Sequence, residues 1–417
     1  MNLSEKGWFG DLIKLKWADF STPEADNEAN LYQKTQRTGL LYGHPKVPKE
    51  LDDPQFLELD PLDKMKIVLL EGFINAAIIS NSGLTSTDPD TFSEFLADSI
   101  NQFYEAVLPQ AEVKDRNFWG IKLTKEEIAE RIISERLNFD DQEADNSWSA
   151  FFSNSLLFLD VLFFGEWLKN TDKNSTSVPI RDKRTAIQLV LLQLIAAAAY
   201  ADKEIDPEEQ LLFDQFLTSL KLPEETDFNT GDILERGIDI DNIDLSIADS
   251  WILKKYLLEL AILTVWADRV VTEEESIFIA ALAEKLGFDK QELMKSMIAI
   301  ESFAIANWGS IPFLQEKHNF STVSDRFVEL VSQAVDLNKD DLKAKLASNQ
   351  EITELLRKAG EDSLSEEEQK KLRAWLIEGL NNLPMFVITA LPGSFLTLPL
   401  LLKILPESVL PTTYKEA

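Results

Sequence analysis

Two clusters of carboxylates stand 66 residues apart: Asp202, Glu204, Asp206, Glu208 and Glu209, then Asp268, Glu273, Glu274 and Glu275. Oxygen donors gathered at a tight turn suit a hard divalent cation, whose charge carboxylates balance well. The candidate ligands are Asp202, Asp206, Glu209, Asp268 and Glu275, and the ion they would take is calcium or magnesium. Asp202 and Asp268 come first, because each ends an apolar helix at a position where no cap role calls for an acid. A second explanation stays open. Acids in a helix's first turn complement its dipole, at about 0.3–1 kcal/mol each when exposed. Asp206 or Thr272 would then cap a helix whose first turn the glutamates fill.

The elements that position these acids repeat as well. Leu189 to Leu222 reads LVLLQLIAAAAYADKEIDPEEQLLFDQFLTSLKL, and the stretch from Lys255 reads KYLLELAILTVWADRVVTEEESIFIAALAEKLGF. Superimposed without a gap, Ala201-Asp202 falls on Ala267-Asp268, Ile205 on Val271, Glu208-Glu209 on Glu274-Glu275, Phe213 on Ile279 and Leu220 on Leu286. Each copy is an apolar helix, an acidic turn and an amphipathic helix. The Ala-Asp-x-x-hydrophobic-x-x-Glu-Glu core resembles the tellurite-resistance TerB-like helical domain, here in tandem over about residues 183–298. That resemblance implies an acidic, metal-associated patch at each turn.

Helical spacing extends over the rest of the chain. Trp8, Phe9, Leu12, Ile13 and Leu15 share a face, and residues 20–62, studded with prolines, read as loop that Tyr32 and Tyr42 pin to the body. Asp63 to Asn81 is apolar on nearly every turn, and Phe92 to Val107 resumes the period after a break at Gly83, a faint third copy of the hairpin. Thr124 with Glu127 forms a capping box. The segment from Ser147 to Asn170 is rich in aromatics (Phe151, Phe152, Phe158, Phe163, Phe164, Trp167), yet Asp160 and Glu166 interrupt it. It reads as a buried helix, since a membrane span rarely carries an unpaired carboxylate at its middle. Residues 171–177 read as a linker. Asp239 to Asp244 looks like a calcium loop but lacks the glycine and glutamate that an EF-hand needs. Ser363 to Glu366 sets up the cap of a helix through Leu380. No segment has the period of a strand, so the expected fold is all-α.

Composition narrows the chemistry. A formal charge of -31 argues against a nucleic-acid surface and suits cations or basic partners. Cysteine is absent, and the two histidines, His44 and His318, lie far apart, which excludes thiol chemistry and a histidine-pair metal helix. No nucleophile or oxyanion donor accompanies the paired acids, so the expectation is a non-enzymatic protein.

Between Glu378 and Lys403 no charge occurs, and Pro384, Pro392 and Pro399 divide the stretch into pieces too short to cross a bilayer core of about 30 Å singly. The pieces Pro384, Leu391-Pro392-Gly393, Leu398-Pro399, Lys403, Pro406 and Leu410-Pro411 resemble the C-terminal segment of LETM-like proteins, over about residues 320–417. With the TerB-like pair, the whole is similar to the LETM-related, biofilm-associated bacterial group. The resemblance implies inner-membrane contact through residues 383–405; the residues alone equally allow this stretch to fold back onto the helical body.

Four regions are expected: a short helix and proline-rich loop (1–62), an N-terminal helical domain (63–180), the tandem module (181–300) and a LETM-like region with an apolar tail (301–417). The expected function is a helical interaction or scaffold protein, responsive to divalent cations and linked to biofilm or envelope stress. The alternatives are a membrane-associated component of cation/proton exchange and a purely structural scaffold. The partner is a protein that no residue names. The amino terminus lacks a secretory signal pattern, so cytoplasmic residence is expected, with attachment to the inner membrane's cytoplasmic face if the tail reaches it.

Overall fold

A helix that is apolar on every side has to sit at the centre of its domain, and Pro61–Ser80 (α3) does so. Asp60 caps it by accepting from the Asp63 N–H at 2.8 Å, and Pro61 occupies its first turn. From Ile67 to Ile79 only Glu71 is not buried. The structure, a computed structural model, describes residues 3, 5–20, 27–45, 59–107, 122–137, 154–170, 173–201, 210, 213–214, 216–217, 220, 237–267, 272–309, 319–360, 364–381, 383, 396–406 and 408–410. Among them are fifteen α-helices and no strand, so the chain is all-α. They divide into two compact units, Met1–Leu260 and Ala261–Ala417.

In the first unit α3 is surrounded by Trp8–Phe20 (α1), Glu28–Arg37 (α2), Pro89–Val107 (α4), Lys125–Leu137 (α5) and Leu157–Lys169 (α6). Lys173–Ala199 (α7) packs on α4 and α6, and Trp251–Ala267 (α8), which belongs to this unit as far as Leu260, follows two short 3-10 turns. Phe73, Phe103, Tyr104, Phe164 and Trp167 form a chain of edge-on ring contacts, with Phe73 and Phe164 5.1 Å apart. The aromatics expected in the core are there, with Phe151 and Phe152 outside the described residues. The expected capping box opens α5, and Glu130 of α5 in turn caps α1 by accepting from the N–H groups of Gly7 and Phe9 at 2.9 and 3.0 Å.

α3 and α6 approach closely at Gly72. A Cβ on Gly72 would stand 2.8 Å from Val161 Cγ2 and 3.1 Å from Leu40 Cδ2. At Gly165 the nearest atoms are 3.5 Å away, an ordinary contact. Gly72→Ala is therefore expected to cost about 1–3 kcal/mol through overpacking, partly offset by about 1 kcal/mol of better helix propensity. Gly165→Ala is expected to be neutral or stabilising. Urea midpoints of the two variants check this, and equal midpoints would refute the close packing at Gly72.

The second unit holds Glu273–Lys285 (α9), Lys290–Ala306 (α10), Phe320–Leu337 (α11), Lys339–Ala347 (α12), Gln350–Ala359 (α13), Glu366–Asn381 (α14) and Leu398–Ile404 (α15). Gly287 at φ 80° stops α9: its N–H bonds the Glu284 carbonyl, and the Phe288 N–H bonds that of Ala283. Asp289 then caps α10. α10 packs on α9 and α11, while α15 packs on α11 and α14 with Leu401, Leu402 and Ile404 buried. The described part of the apolar tail thus folds onto the helical body of its unit.

Several expectations need correction. Within the stretch 20–62, read as mostly loop, the described residues 27–45 hold a helix and a 3-10 turn: Asn27 caps α2, and Leu40–Tyr42 follows; burial of Leu31, Tyr32 and Thr35 holds a helix whose composition is polar. The linker read at 171–177 is helical from Lys173, with Pro179 in the second turn of α7, where one missing N–H is tolerated because the rest of the helix docks. The cap of α14 is Ser365, inside the expected Ser-Leu-Ser-Glu, and its box partner is Glu368, beyond it. The boundary expected at 180/181 falls inside α7 and that at 300/301 inside α10. Among the described residues no helix is long and apolar enough to cross a membrane.

Candidate functional site

Of the five expected cation ligands, Asp202, Asp206, Glu209 and Asp268 lie outside the described residues. Glu275 is described and buried at the start of α9. Thr272 Oγ1 accepts from the Glu275 N–H at 3.1 Å, and Glu275 Oε2 accepts from the Thr272 N–H at 2.6 Å and from its hydroxyl at 3.1 Å. Glu275 therefore closes a full capping box, the arrangement that its sequence position also allowed. Among the described residues no group of three or more Asp, Glu, His or Cys side chains is placed to hold a metal. The Asp239–Asp244 loop is built from two Asx turns, Asp239 accepting from the Asp241 N–H and Asp244 from the Ser246 N–H, at 2.8 and 3.0 Å.

The flanks of the two elbows match in burial. Leu191 and Leu257, Leu194 and Leu260, Phe213 and Ile279, Phe216 and Leu282, and Leu220 and Leu286 are all buried, each pair separated by the same 66 residues. Helical bonding in α7 continues to the Tyr200 N–H, close to where the Ala267 end of α8 maps.

The strongest electrostatics lie elsewhere, inside the first unit. Asp160 of α6 is fully buried. Its Oδ1 accepts from Arg184 Nη2 and Nε at 2.9 and 3.2 Å, and its Oδ2 from Arg136 Nη2 and Nε at 2.7 and 2.8 Å and from the Tyr104 hydroxyl at 3.0 Å. Arg184 also donates to Gln188, whose amide donates to the Leu220 carbonyl. Burial pushes the Asp160 carboxyl up; the Arg136 and Arg184 charges outweigh it and hold it below the usual carboxylate range. The sequence signal was an acid inside an apolar helix, which requires partners. Their identity was hidden because Arg136 and Arg184 sit 24 residues to either side.

A second buried carboxylate, Glu259 of α8, gathers the arm that carries α2. The Tyr32 hydroxyl donates to Glu259 Oε1, and the Tyr42 hydroxyl to Oε2 at 2.8 Å. Gln36 Nε2 donates to both hydroxyls at 2.9 and 3.0 Å, and Lys255 Nζ stands 3.9 Å from Oε1. Glu28 caps the start of α8 by accepting from the Ile252 N–H at 3.0 Å, and Tyr32 lies edge-on to Trp251. Burial, then the Glu259 charge, pushes both tyrosines well above their ordinary range. These two clusters clamp helices together: each buried acid is surrounded by donors from other segments. No family model, no curated protein and no solved structure matches the chain.

Proposed function

We propose that the chain is a non-enzymatic helical interaction protein that responds to divalent cations through the elbows at residues 202–209 and 268–275, in the surface-attachment or envelope-stress setting that its TerB-like and LETM-like segments suggest. One observation carries this reading. The buried acids Asp160 and Glu259 are engaged by partners that hold helices in place, while over the whole chain 72 acids outnumber 41 bases, an excess that suits cations or basic partners. The equal burial of residues flanking both elbows supports treating the elbows as equivalent. The docking of α15 on α11 and α14 supports an apolar tail that belongs to the helical body over the exchanger alternative.

Calorimetric titration with calcium, magnesium and manganese tests the cation response. Binding heat is expected for the chain and is expected to vanish in Asp202→Ala/Asp268→Ala. Glu275→Gln separates the two roles of that residue, because glutamine retains the capping-box bonds. Unchanged thermal stability with weakened cation binding would make Glu275 a ligand as well as a cap. Heat no greater than dilution with all three ions leaves the purely structural scaffold. Carbonate washing of a membrane fraction addresses the exchanger, which requires the chain to stay in the pellet.

A further inference from the structure

We propose that the cleft between α10, α11 and the segment after α15 binds a single-chain amphiphile bearing one carboxylate, such as a long-chain fatty acid. This inference is independent of the cation reading. The cleft lies wholly within the Ala261–Ala417 unit, is open to solvent and has a volume of about 790 Å³, inside the range of about 300–1,000 Å³ typical of small-molecule sites. Its apolar wall comes from Met294, Leu337 and Leu405. Leu337, the last residue of α11, is 58% exposed, a large apolar side chain left open at the mouth. Met294 adds an unbranched thioether side chain that adapts to an irregular aliphatic guest.

The charges select the headgroup. Asp336 and Lys339, both in the lining, pair with each other at 3.2 Å and cancel. Lys403 also lines the cleft, is exposed, and has no ion-pair partner among the described residues. An ammonium with no ion-pair partner among the described residues thus stands in the lining of an apolar cleft on a chain whose total charge is -31. A guest with an aliphatic body and one negative head complements both features, whereas a neutral guest leaves the ammonium without its partner.

The test uses the full chain and oleate below its micellar concentration, followed by native mass spectrometry and by displacement of a fluorescent fatty-acid probe. Saturable one-to-one binding is expected, with oleyl alcohol, which has the same tail and no charge, binding about tenfold more weakly or worse. Lys403→Glu and Leu337→Glu are each expected to weaken oleate binding by at least about tenfold. Both positions are exposed, so their thermal unfolding should match that of the parent. Reductive methylation with peptide mapping gives a readout free of any variant: oleate should protect Lys403. The proposal is overturned by non-saturable uptake, by oleate binding equally to both variants and the parent, or by equal labelling of Lys403 with and without oleate. Adsorption to phosphatidylglycerol vesicles without binding of free oleate also overturns it and assigns this face to a membrane surface.

Discussion

Asp160→Asn is expected to remove about 3–5 kcal/mol of stability from the Met1–Leu260 unit, because it breaks a buried ion cluster on one side only. Asparagine keeps the size of aspartate but presents an amide to guanidinium donors. One of Arg136 or Arg184 then faces donor against donor, and both lose the charge that offset their desolvation. Thermal unfolding should fall by on the order of ten degrees. Removing the whole cluster together, as Asp160→Leu with Arg136→Met and Arg184→Met, is expected to recover most of that loss, since no isolated charge remains. A single variant within about two degrees of the parent would show that the guanidiniums find water instead. The pH dependence has a definite sign. The folded carboxyl lies below its unfolded value, so its contribution is complete above the unfolded pKa of about 3.9 and is lost as pH falls through the folded value. The gap between parent and Asp160→Asn should therefore be flat from neutral pH to about 5 and close only in acid.

Glu259→Gln is the second large effect. Two tyrosine hydroxyls lose a charged acceptor, and hydrogen bonds to charged groups contribute about 1.5–3 kcal/mol each. The loss should be local as well as global. Amide hydrogen exchange is expected to quicken across residues 28–44, the arm that Glu259 holds, with less change in α3 and α6. Uniform acceleration over the whole unit would contradict a local clamp. Tyr32→Phe and Tyr42→Phe should combine non-additively, because they share one carboxylate and one glutamine. Alkaline titration gives a further check. Tyr32, Tyr42, Tyr104 and Tyr256 all have folded pKa values above the ordinary one, in each case first through burial. The stability they contribute is complete below about pH 10 and is lost as pH rises towards the folded values. At least four of the six tyrosines should thus stay protonated beyond pH 10 and ionise only as the chain unfolds.

The helical period of the sequence reached most of the architecture. The central helix announced itself from Asp63 to Asn81 by apolar residues on nearly every turn, two residues after its true start at Pro61, and Thr124 with Glu127 marked the start of α5 to the residue. α2 was missed because its face is carried by Leu31, Tyr32 and Thr35 in a polar helix between prolines, too little apolar surface for a periodic signal. The start of α7 was missed because Pro179 reads as a breaker until the rest of the helix is seen to dock. At the candidate cation elbows, the choice between cap and ligand for Glu275 was stated in advance, and its cap bonds are visible.

What residue order determined by itself was the class of the fold and the local punctuation: helix period, the capping box at Thr124, the cap at Thr272, and the absence of thiol chemistry. These follow from neighbours within a turn or two. Only the tertiary structure decided what Asp160 and Glu259 are for. Their hydrogen-bond donors arrive from 24 to 227 residues away, and a buried charge is settled by whatever donors packing brings to it. The same holds for the cleft beside Lys403, where α10, α11 and the tail meet across more than a hundred residues of chain. Short-range chemistry is written in sequence spacing, whereas desolvation and charge pairing depend on which distant surfaces close over the group.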